Sequence, residues 1–149
     1  MNNFFNTLLA LTSSNPYLIL EITTSTPNQS ITIPHLSGYT YNYIVDYGDG
    51  LTSRVTSYND ADTTHTYVNE GTYKIKIAGI CESLYVNGGG SIMSTINKVL
   101  NWGTVGLKRI NFNGCSNLIS ISGNSMHLSN IINFKETFAN CTSLTSIPT

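Results

Sequence analysis

Four carboxylates lie close together in the chain, and they are the residues with the clearest potential for chemistry. Asp46, Asp49, Asp60 and Asp62 flank a Gly-Asp-Gly turn and the loop that follows it. Carboxylates supplied by loops are ligands that Ca²⁺ prefers. The sequence favours the alternative, in which Asp49 shapes its own turn by backbone hydrogen bonds and Asp60 and Asp62 lie in a solvated loop. A paired-carboxylate glycosidase needs two carboxylates at a fixed separation across a cleft, and nothing in the sequence sets one.

Histidine and cysteine show no spacing typical of a metal site. The chain contains His35, His65, His127, Cys81, Cys115 and Cys141. No histidine has a Glu or Cys near it at ligand spacing, and the cysteines form no CxxC pair. Buried thiols that stack in successive repeats are favoured for Cys115 and Cys141, with a disulfide or a metal ligand as alternatives. Because the common nucleophile, phosphate-loop and nucleotide motifs are also missing, we expect a non-enzymatic protein without a cofactor.

Tyrosine is concentrated in the first half of the chain. All nine tyrosines fall between Tyr17 and Tyr85, and the densest cluster is Tyr39, Tyr41, Tyr43 and Tyr47. Tyrosines exposed on a sheet bind sugar rings or protein partners well. Ordinary strand composition is the alternative explanation. The cluster is therefore a candidate binding face.

Short strands must position these residues. Strands are predicted for residues 17–23, 30–33, 41–47, 51–58, 64–67 and 72–77. In the last of them Tyr73, Ile75 and Ile77 are expected to face inward, while Lys74 and Lys76 face water. Several short strands at this spacing predict a small antiparallel sandwich.

Two ordered motifs in this region resemble the PKD-type immunoglobulin-like domain. Val45-Asp46-Tyr47-Gly48-Asp49-Gly50 is followed fifteen residues later by His65-Thr66-Tyr67 and then by Gly71-Thr72-Tyr73. Val45 stands where that family usually has Trp. The resemblance covers about residues 16–80. It implies a β-sandwich that serves as a spacer or adhesion module, with Gly48, Asp49, Gly50, His65, Tyr67, Gly71 and Tyr73 as structural motif residues.

The pattern changes after residue 80. A Gly-rich turn at residues 88–90 and a helical turn from Ser94 to Trp102 are predicted. Beyond them a motif repeats with an offset of 26 residues: Phe112, Cys115, Leu118 and Ile121 recur as Phe138, Cys141, Leu144 and Ile147. Apolar side chains at a spacing of three, with this period, are typical of leucine-rich repeats that stack to share a core.

These units resemble the BspA-type leucine-rich repeat of bacterial and phage surface proteins, whose pattern is Phe-x-x-Cys-x-x-Leu-x-x-Ile-Pro. Asn101-Trp102-Gly103 resembles the segment that precedes the first repeat in such proteins. About three repeats are normally needed for a stable solenoid. With two visible units, we expect this one to depend on the sandwich, on a partner chain or on further sequence.

The first residues form a separate segment. Residues 1–15 have no Lys or Arg, and Asn6 and Thr7 interrupt the apolar stretch, which disfavours a signal peptide. A docking arm or short amphipathic helix is the favoured interpretation, and its apolar residues are Phe4, Phe5, Leu8 and Leu9. The predicted organisation is thus an arm at 1–15, a PKD-like sandwich at 16–80 and a leucine-rich region at 81–149.

Charge is scarce along the whole chain. Charged residues make up 10% of the 149 residues and the net charge is -1, whereas Asn, Ser and Thr together contribute 54 residues. Without a basic patch we expect no nucleic-acid partner, and without an apolar run of about 20 residues we expect no membrane insertion. Such an uncharged polar surface suits dense assemblies or the exterior of cells and particles.

The expected function is structural or binding. The favoured hypothesis is a bacteriophage virion component on the particle surface, such as a capsid decoration, head-fibre or tail-adhesin subunit, with capsid or tail proteins or its own copies as partners. The alternative is a bacterial cell-surface adhesin that binds a host protein or glycan. A carbohydrate-active enzyme or its sugar-binding module is a third and weaker hypothesis.

Overall fold

The fold is mainly β. The computed structural model describes residues 15–87, 90–123 and 128–147, and in them it shows ten strands and one short 3-10 helix at Ala61–Thr63. The strands are β1 (Leu18–Thr24), β2 (Gln29–Thr32), β3 (Tyr41–Asp46), β4 (Thr52–Val55), β5 (Thr64–Tyr67), β6 (Gly71–Cys81), β7 (Ser83–Tyr85), β8 (Ile96–Asn101), β9 (Arg109–Asn111) and β10 (Ser120–Ile121). The six strands predicted before residue 80 are all present, with ends shifted by a few residues.

The main sheet has the strand order β10-β8-β1-β6-β3-β4. All its pairs are antiparallel except the edge pair of β8 and β10. Two smaller sheets accompany it, an antiparallel pair of β2 and β5 and a parallel pair of β7 and β9. The first half of the chain is therefore antiparallel, and parallel pairing begins in the second half.

β1 lies inside the main sheet because it pairs with β6 along one edge and with β8 along the other, and its side chains alternate between the two faces. Leu18, Leu20 and Ile22 are fully buried on the core face. Glu21 lies on the opposite face, where its carboxylate is 2.9 Å from the Lys98 Nζ of β8. The same alternation continues in β6, in which Ile75 and Ile77 are buried and the intervening lysines are exposed, as the sequence predicted.

The predicted helical turn from Ser94 to Trp102 is wrong, because this segment contains β8. Ile96 and Val99 are both buried, and their spacing of three resembles helical periodicity. The spacing arises from two register shifts in the pairing of β1 with β8, which break the strand alternation. β8 is held by hydrogen bonds to β1, a partner about 75 residues earlier in the chain, and this pairing leaves no local signal.

Three consecutive segments of the second half of the chain are joined by backbone hydrogen bonds. We call them coil one (residues 83–87 and 90–101), coil two (residues 109–121) and coil three (residues 128–147), and together the coil stack. β7 of coil one pairs with β9 of coil two with Ser83 opposite Arg109, an offset of 26 residues. The Phe112 N–H of coil two donates to the Thr137 carbonyl of coil three over 2.7 Å. The repeat motif marks only the last two layers, because Val86 and Ile92 take the places of Phe and Leu in coil one.

One continuous hydrophobic core serves both halves of the chain. The buried cluster extends from β1 and β6 to Phe112, Leu118 and Cys141 in the coil stack. β8, which lies beyond the predicted boundary at residue 80, is part of the main sheet. The main sheet therefore continues across that boundary.

Candidate functional site

The Gly-Asp-Gly turn joins β3 to β4 and is held by its own carboxylates. Asp46 Oδ1 accepts from the Gly48 N–H over 2.8 Å, and Asp49 Oδ1 accepts from the Leu51 N–H over 3.1 Å. Gly48 has a φ of +83°, and a Cβ there would lie 2.7 Å from the Lys74 carbonyl oxygen. Only glycine fits this close approach to β6.

The second carboxylate oxygen of Asp49 connects the turn to the His-Thr-Tyr motif. Asp49 Oδ2 lies 2.7 Å from His65 Nε2, and the His65 ring stacks on Tyr47 with centroids 4.0 Å apart. The Tyr67 hydroxyl donates to the Tyr47 carbonyl over 2.8 Å, and the Tyr67 ring stacks on Tyr73. The motif residues therefore form one packed cluster, in which the His and Asp side chains already satisfy each other.

The four carboxylates that the sequence offered as a less favoured Ca²⁺ site are divided between two turns. Asp60 accepts through Oδ1 from the Asp62 N–H and through Oδ2 from the N–H and hydroxyl of Thr56. These bonds, led by that from the Thr56 N–H, hold the pKa of Asp60 below its ordinary value. Each of Asp46, Asp49 and Asp60 thus serves its own turn. In residues 15–87, 90–123 and 128–147, no three His, Cys, Asp or Glu side chains are grouped so that they could hold a metal ion.

The candidate tyrosine binding face is ruled out by the burial of most of its members. Tyr41, Tyr43 and Tyr47 are at most 4% exposed, and Tyr39 is partly buried against the core. All four have odd numbers around β3, and a strand places alternate residues on one face. Here that face is the core, whereas Ile44 lies on the exposed face. Tyr41, Tyr43 and Val45 alternate with polar or exposed residues along β3. This alternation could have predicted from the sequence that the tyrosines face the core.

His35 is a partly buried polar residue whose role the sequence did not indicate. Its Nδ1 lies 2.8 Å from the Ser83 carbonyl oxygen of β7, and its Nε2 lies 2.7 Å from the Tyr43 hydroxyl. Because a carbonyl only accepts, Nδ1 carries the proton and Nε2 accepts from Tyr43. Burial lowers the pKa of His35 to about 4 and raises that of Tyr43. The pair holds the loop before β3 against the first strand of the coil stack.

All three cysteines are buried free thiols, as the sequence favoured for Cys115 and Cys141. Burial raises the pKa of Cys81 and of Cys115 to about 12, so neither is an activated nucleophile at neutral pH. Cys115 and Cys141 lie in successive layers, and the Cys141 Sγ donates to the Phe112 carbonyl over 3.1 Å. They contribute to the packing of the coil stack.

The repeat residues differ in burial between layers. Phe112, Cys115 and Leu118 of coil two are fully buried. Their equivalents in coil three, Phe138, Cys141 and Leu144, are covered less completely, and Ile121 is partly buried. Ile147 is 55% exposed, which corrects the expectation that it stacks in a shared core. The physical reason is that, among the described residues, no layer follows coil three.

An apolar groove of about 470 Å³ lies at this end of the coil stack. Its lining comprises Trp102, Ile121, Ser122, Leu128, Ser129, Phe134, Phe138 and Ile147. None of these side chains is charged. No local sequence pattern marks this groove, since its lining comes from three places in the chain: Trp102, the pair Ile121 and Ser122, and coil three.

The predicted docking residues Phe4, Phe5, Leu8 and Leu9 lie outside the described residues, as does His127. In the part of the chain that the structure describes, no helix has the length and apolar character needed to cross a membrane. Comparison with protein-family models, curated proteins and solved structures finds no match for this chain.

Proposed function

We propose that this chain is a non-enzymatic structural and binding component of a bacteriophage virion, displayed on the particle surface as a capsid decoration, head-fibre or tail-adhesin subunit. In this proposal residues 16–80 form a PKD-like sandwich, with β2 and β5 as its second layer, and residues 81–149 form a short leucine-rich solenoid. Both modules resemble units of adhesion and display proteins.

The observation that carries the proposal is the sheet shared by the two modules. β8 of the coil stack pairs along β1, and the Asn101 side-chain amide donates to the Tyr17 carbonyl over 2.6 Å. At Gly103 the backbone approaches β1 so closely that a Cβ would lie 2.4 Å from the Leu18 nitrogen. Two modules joined in this way form a rigid unit, which suits a protein that presents a surface at a fixed orientation.

The bonding of the polar and thiol side chains also supports a role without catalysis. Asp49 and His65 bond to each other within the turn cluster, and His35 is held between Ser83 and Tyr43. Cys81 and Cys115 are protonated thiols at neutral pH, because burial raises the pKa of each. These groups stabilise the fold and are not poised to act on a substrate.

The N-terminal arm is the proposed docking element. Phe4, Phe5, Leu8 and Leu9 provide apolar contact area for a capsid or tail protein or for another copy of the chain. Replacing all four by Ser is expected to abolish incorporation into particles while the sheet remains folded. Incorporation that persists in this variant would remove the docking role from the arm.

A bacterial cell-surface adhesin that binds a host protein or glycan is the second candidate. The open groove at the end of coil three favours it, because further repeats of a longer adhesin would stack there. A longer native polypeptide is the expectation specific to this candidate.

Mass spectrometry of gradient-purified particles and of washed cell envelopes distinguishes the two candidates. Recovery with particles, at a fixed ratio to the major capsid protein, is the result expected for a virion component. Recovery only in envelopes, together with peptides that extend past Thr149, would replace it with the adhesin.

A further inference from the structure

The exposed end of coil three carries the residue types that are buried one layer below. Phe112 and Leu118 of coil two are 0% exposed, and coil three contributes to covering them. Phe112 stacks on Phe138 with centroids 5.8 Å apart and planes inclined by 12°. The same position in coil three, Phe138, has no such ring above it among the described residues. The burial therefore differs because of what covers each layer, since the motif is the same.

The groove at this end is suited to an apolar, uncharged occupant. Its walls include Trp102, Phe134 and Ile147, and the lining contains no charged group. Phe134 is 48% exposed, and Ile132, on the same coil, is 97% exposed. Large apolar side chains rarely stay so exposed in a group unless they form an interaction site.

The backbone of coil three repeats the donor geometry of coil two. In coil two the N–H groups of Phe112 and Gly114 donate to carbonyls of coil three over 2.7 and 2.9 Å. The equivalent positions in coil three are Phe138 and Asn140. Asn140 has a φ of +58°, in the same left-handed region as the φ of +86° at Gly114. Within the described residues no backbone carbonyl accepts from either N–H.

We propose that this end of the coil stack binds a partner polypeptide that adds one further coil of the same 26-residue type. The partner supplies apolar side chains at the Phe and Leu spacing, and its backbone carbonyls accept from Phe138 and Asn140. Coil three shows how the fit is made, because it covers coil two through these same contacts. The inference rests on the proposed virion component, because in the longer adhesin further repeats of the same chain would fill this end.

A second copy of this chain is a poorer match. Its own coil three would present the same two N–H donors, and donors facing donors form no hydrogen bonds. Its coil one is not free to stack either, because the Tyr85 N–H of β7 donates to the Pro34 carbonyl over 3.1 Å. A second copy therefore fits this end less well than a polypeptide whose coil presents backbone carbonyls to Phe138 and Asn140.

A peptide titration tests the proposal. A synthetic peptide that copies residues 122–147 is added to the 149-residue protein under reducing conditions, and the fluorescence of Trp102, the single tryptophan, is followed. Saturable binding is expected, weakened at least 10-fold by Phe134→Asp in the protein. The matched control is Ile44→Asp on the main sheet, since Ile44 has the same 48% exposure and lies far from the groove. A peptide carrying Phe138→Asp and Leu144→Asp is expected not to bind.

Several results would overturn the proposal. One is the absence of saturable binding, and another is binding that Phe134→Asp and Ile44→Asp weaken equally. A concentration-dependent dimer that Phe134→Asp dissociates would assign the groove to a second copy. Binding that develops only after residues 1–14 are deleted would assign it to the chain's own arm, and a native polypeptide with another repeat after Thr149 would assign it to the same chain. If Phe134→Asp does not fold, Ile147→Asp replaces it.

Discussion

Asp49 uses both carboxylate oxygens, one on the Leu51 N–H of its own turn and one on His65 of β5. Replacing it by Ala leaves both partners without their acceptor, and we expect Asp49→Ala to lower the free energy of unfolding by about 1–3 kcal/mol. Asp62→Ala is the control, since none of the described hydrogen bonds uses the Asp62 carboxylate, and its effect should stay within about 0.5 kcal/mol. Urea denaturation measures both. Equal losses would show that the turn does not depend on the Asp49 contacts.

His35 gives the protein a specific sensitivity to mild acid. Because burial lowers its pKa from 6.5 to about 4, the folded state prefers the neutral ring. The unfolded chain takes up a proton below about pH 6.5 and the folded protein does so only near pH 4, so stability falls as the pH is lowered through this range. Protonation would also place an Nε2–H against the Tyr43 hydroxyl.

Thermal denaturation between pH 7 and pH 4 tests this prediction. We expect the wild-type protein to lose about 3 kcal/mol across the range, since each unit of pKa corresponds to about 1.4 kcal/mol. His35→Gln, which has no titrating ring, should be less stable than the wild type at pH 7, but its free energy of unfolding should change less between pH 7 and pH 4. A variant whose pH profile parallels that of the wild type would assign the acid sensitivity to other groups.

At the scale of the elements, the junction between β8 and β1 depends on one glycine. Gly103 has a φ of +64°, and a Cβ there would meet Leu18 and Tyr17 backbone atoms at 2.4 Å. Gly106 also has a positive φ, of +81°, but a Cβ there would meet nothing within 4 Å. We expect Gly106→Ala to cost about 1 kcal/mol from backbone strain alone. Gly103→Ala should cost at least about 2 kcal/mol more, because the two strands must separate.

Denaturation of the two glycine variants, compared with the wild type, checks this difference. In Gly103→Ala, but not in Gly106→Ala, we expect amide hydrogen exchange to show that β1 and β8 have shifted from their wild-type pairing register. Similar losses in both variants would mean that the close approach at Gly103 does not limit the packing of the junction.

The strands of the first half could be predicted because each carries its own signal. In β6 buried isoleucines alternate with exposed lysines, and the Gly-Asp-Gly turn sets the β3–β4 hairpin. β8 could not be predicted, since its register shifts imitate helical spacing and its partner is distant in the chain. Coil one could not be recognised from the repeat motif, because Val86 and Ile92 occupy the positions at which the motif has Phe and Leu.

The candidate sites were harder to predict than the strands. The sequence showed the Asp, His and Tyr residues, but the same side chains serve a binding site or a packed core depending on the face on which they lie. For Tyr43 the strand alternation would have settled this question. The groove has no local pattern at all, because Trp102 and Phe134 come together only through the stacking of coils two and three.

At the scale of the whole molecule, the shared sheet predicts that the chain unfolds as one unit. A fragment of residues 1–80 would keep β1 but lose β8, which pairs along one edge of β1 in the full chain. The loss of β8 would uncover the core side of Leu20 and Ile22. His35 would lose the Ser83 carbonyl, and Glu21 would lose Lys98. An exposed edge strand beside uncovered apolar surface favours aggregation over folding.

We therefore expect a fragment of residues 1–80 to show no cooperative thermal transition by circular dichroism, whereas the full chain unfolds in a single transition detected equally by Trp102 fluorescence and by far-ultraviolet signal. Restoring β8 tests the reason directly. Adding residues 81–123 in a second fragment brings back β8, β10 and the Gly103 junction, and should recover a cooperative transition at reduced temperature. A 1–80 fragment that melts cooperatively within a few degrees of the full chain would instead make residues 16–80 an independent domain, to which the coil stack is only attached.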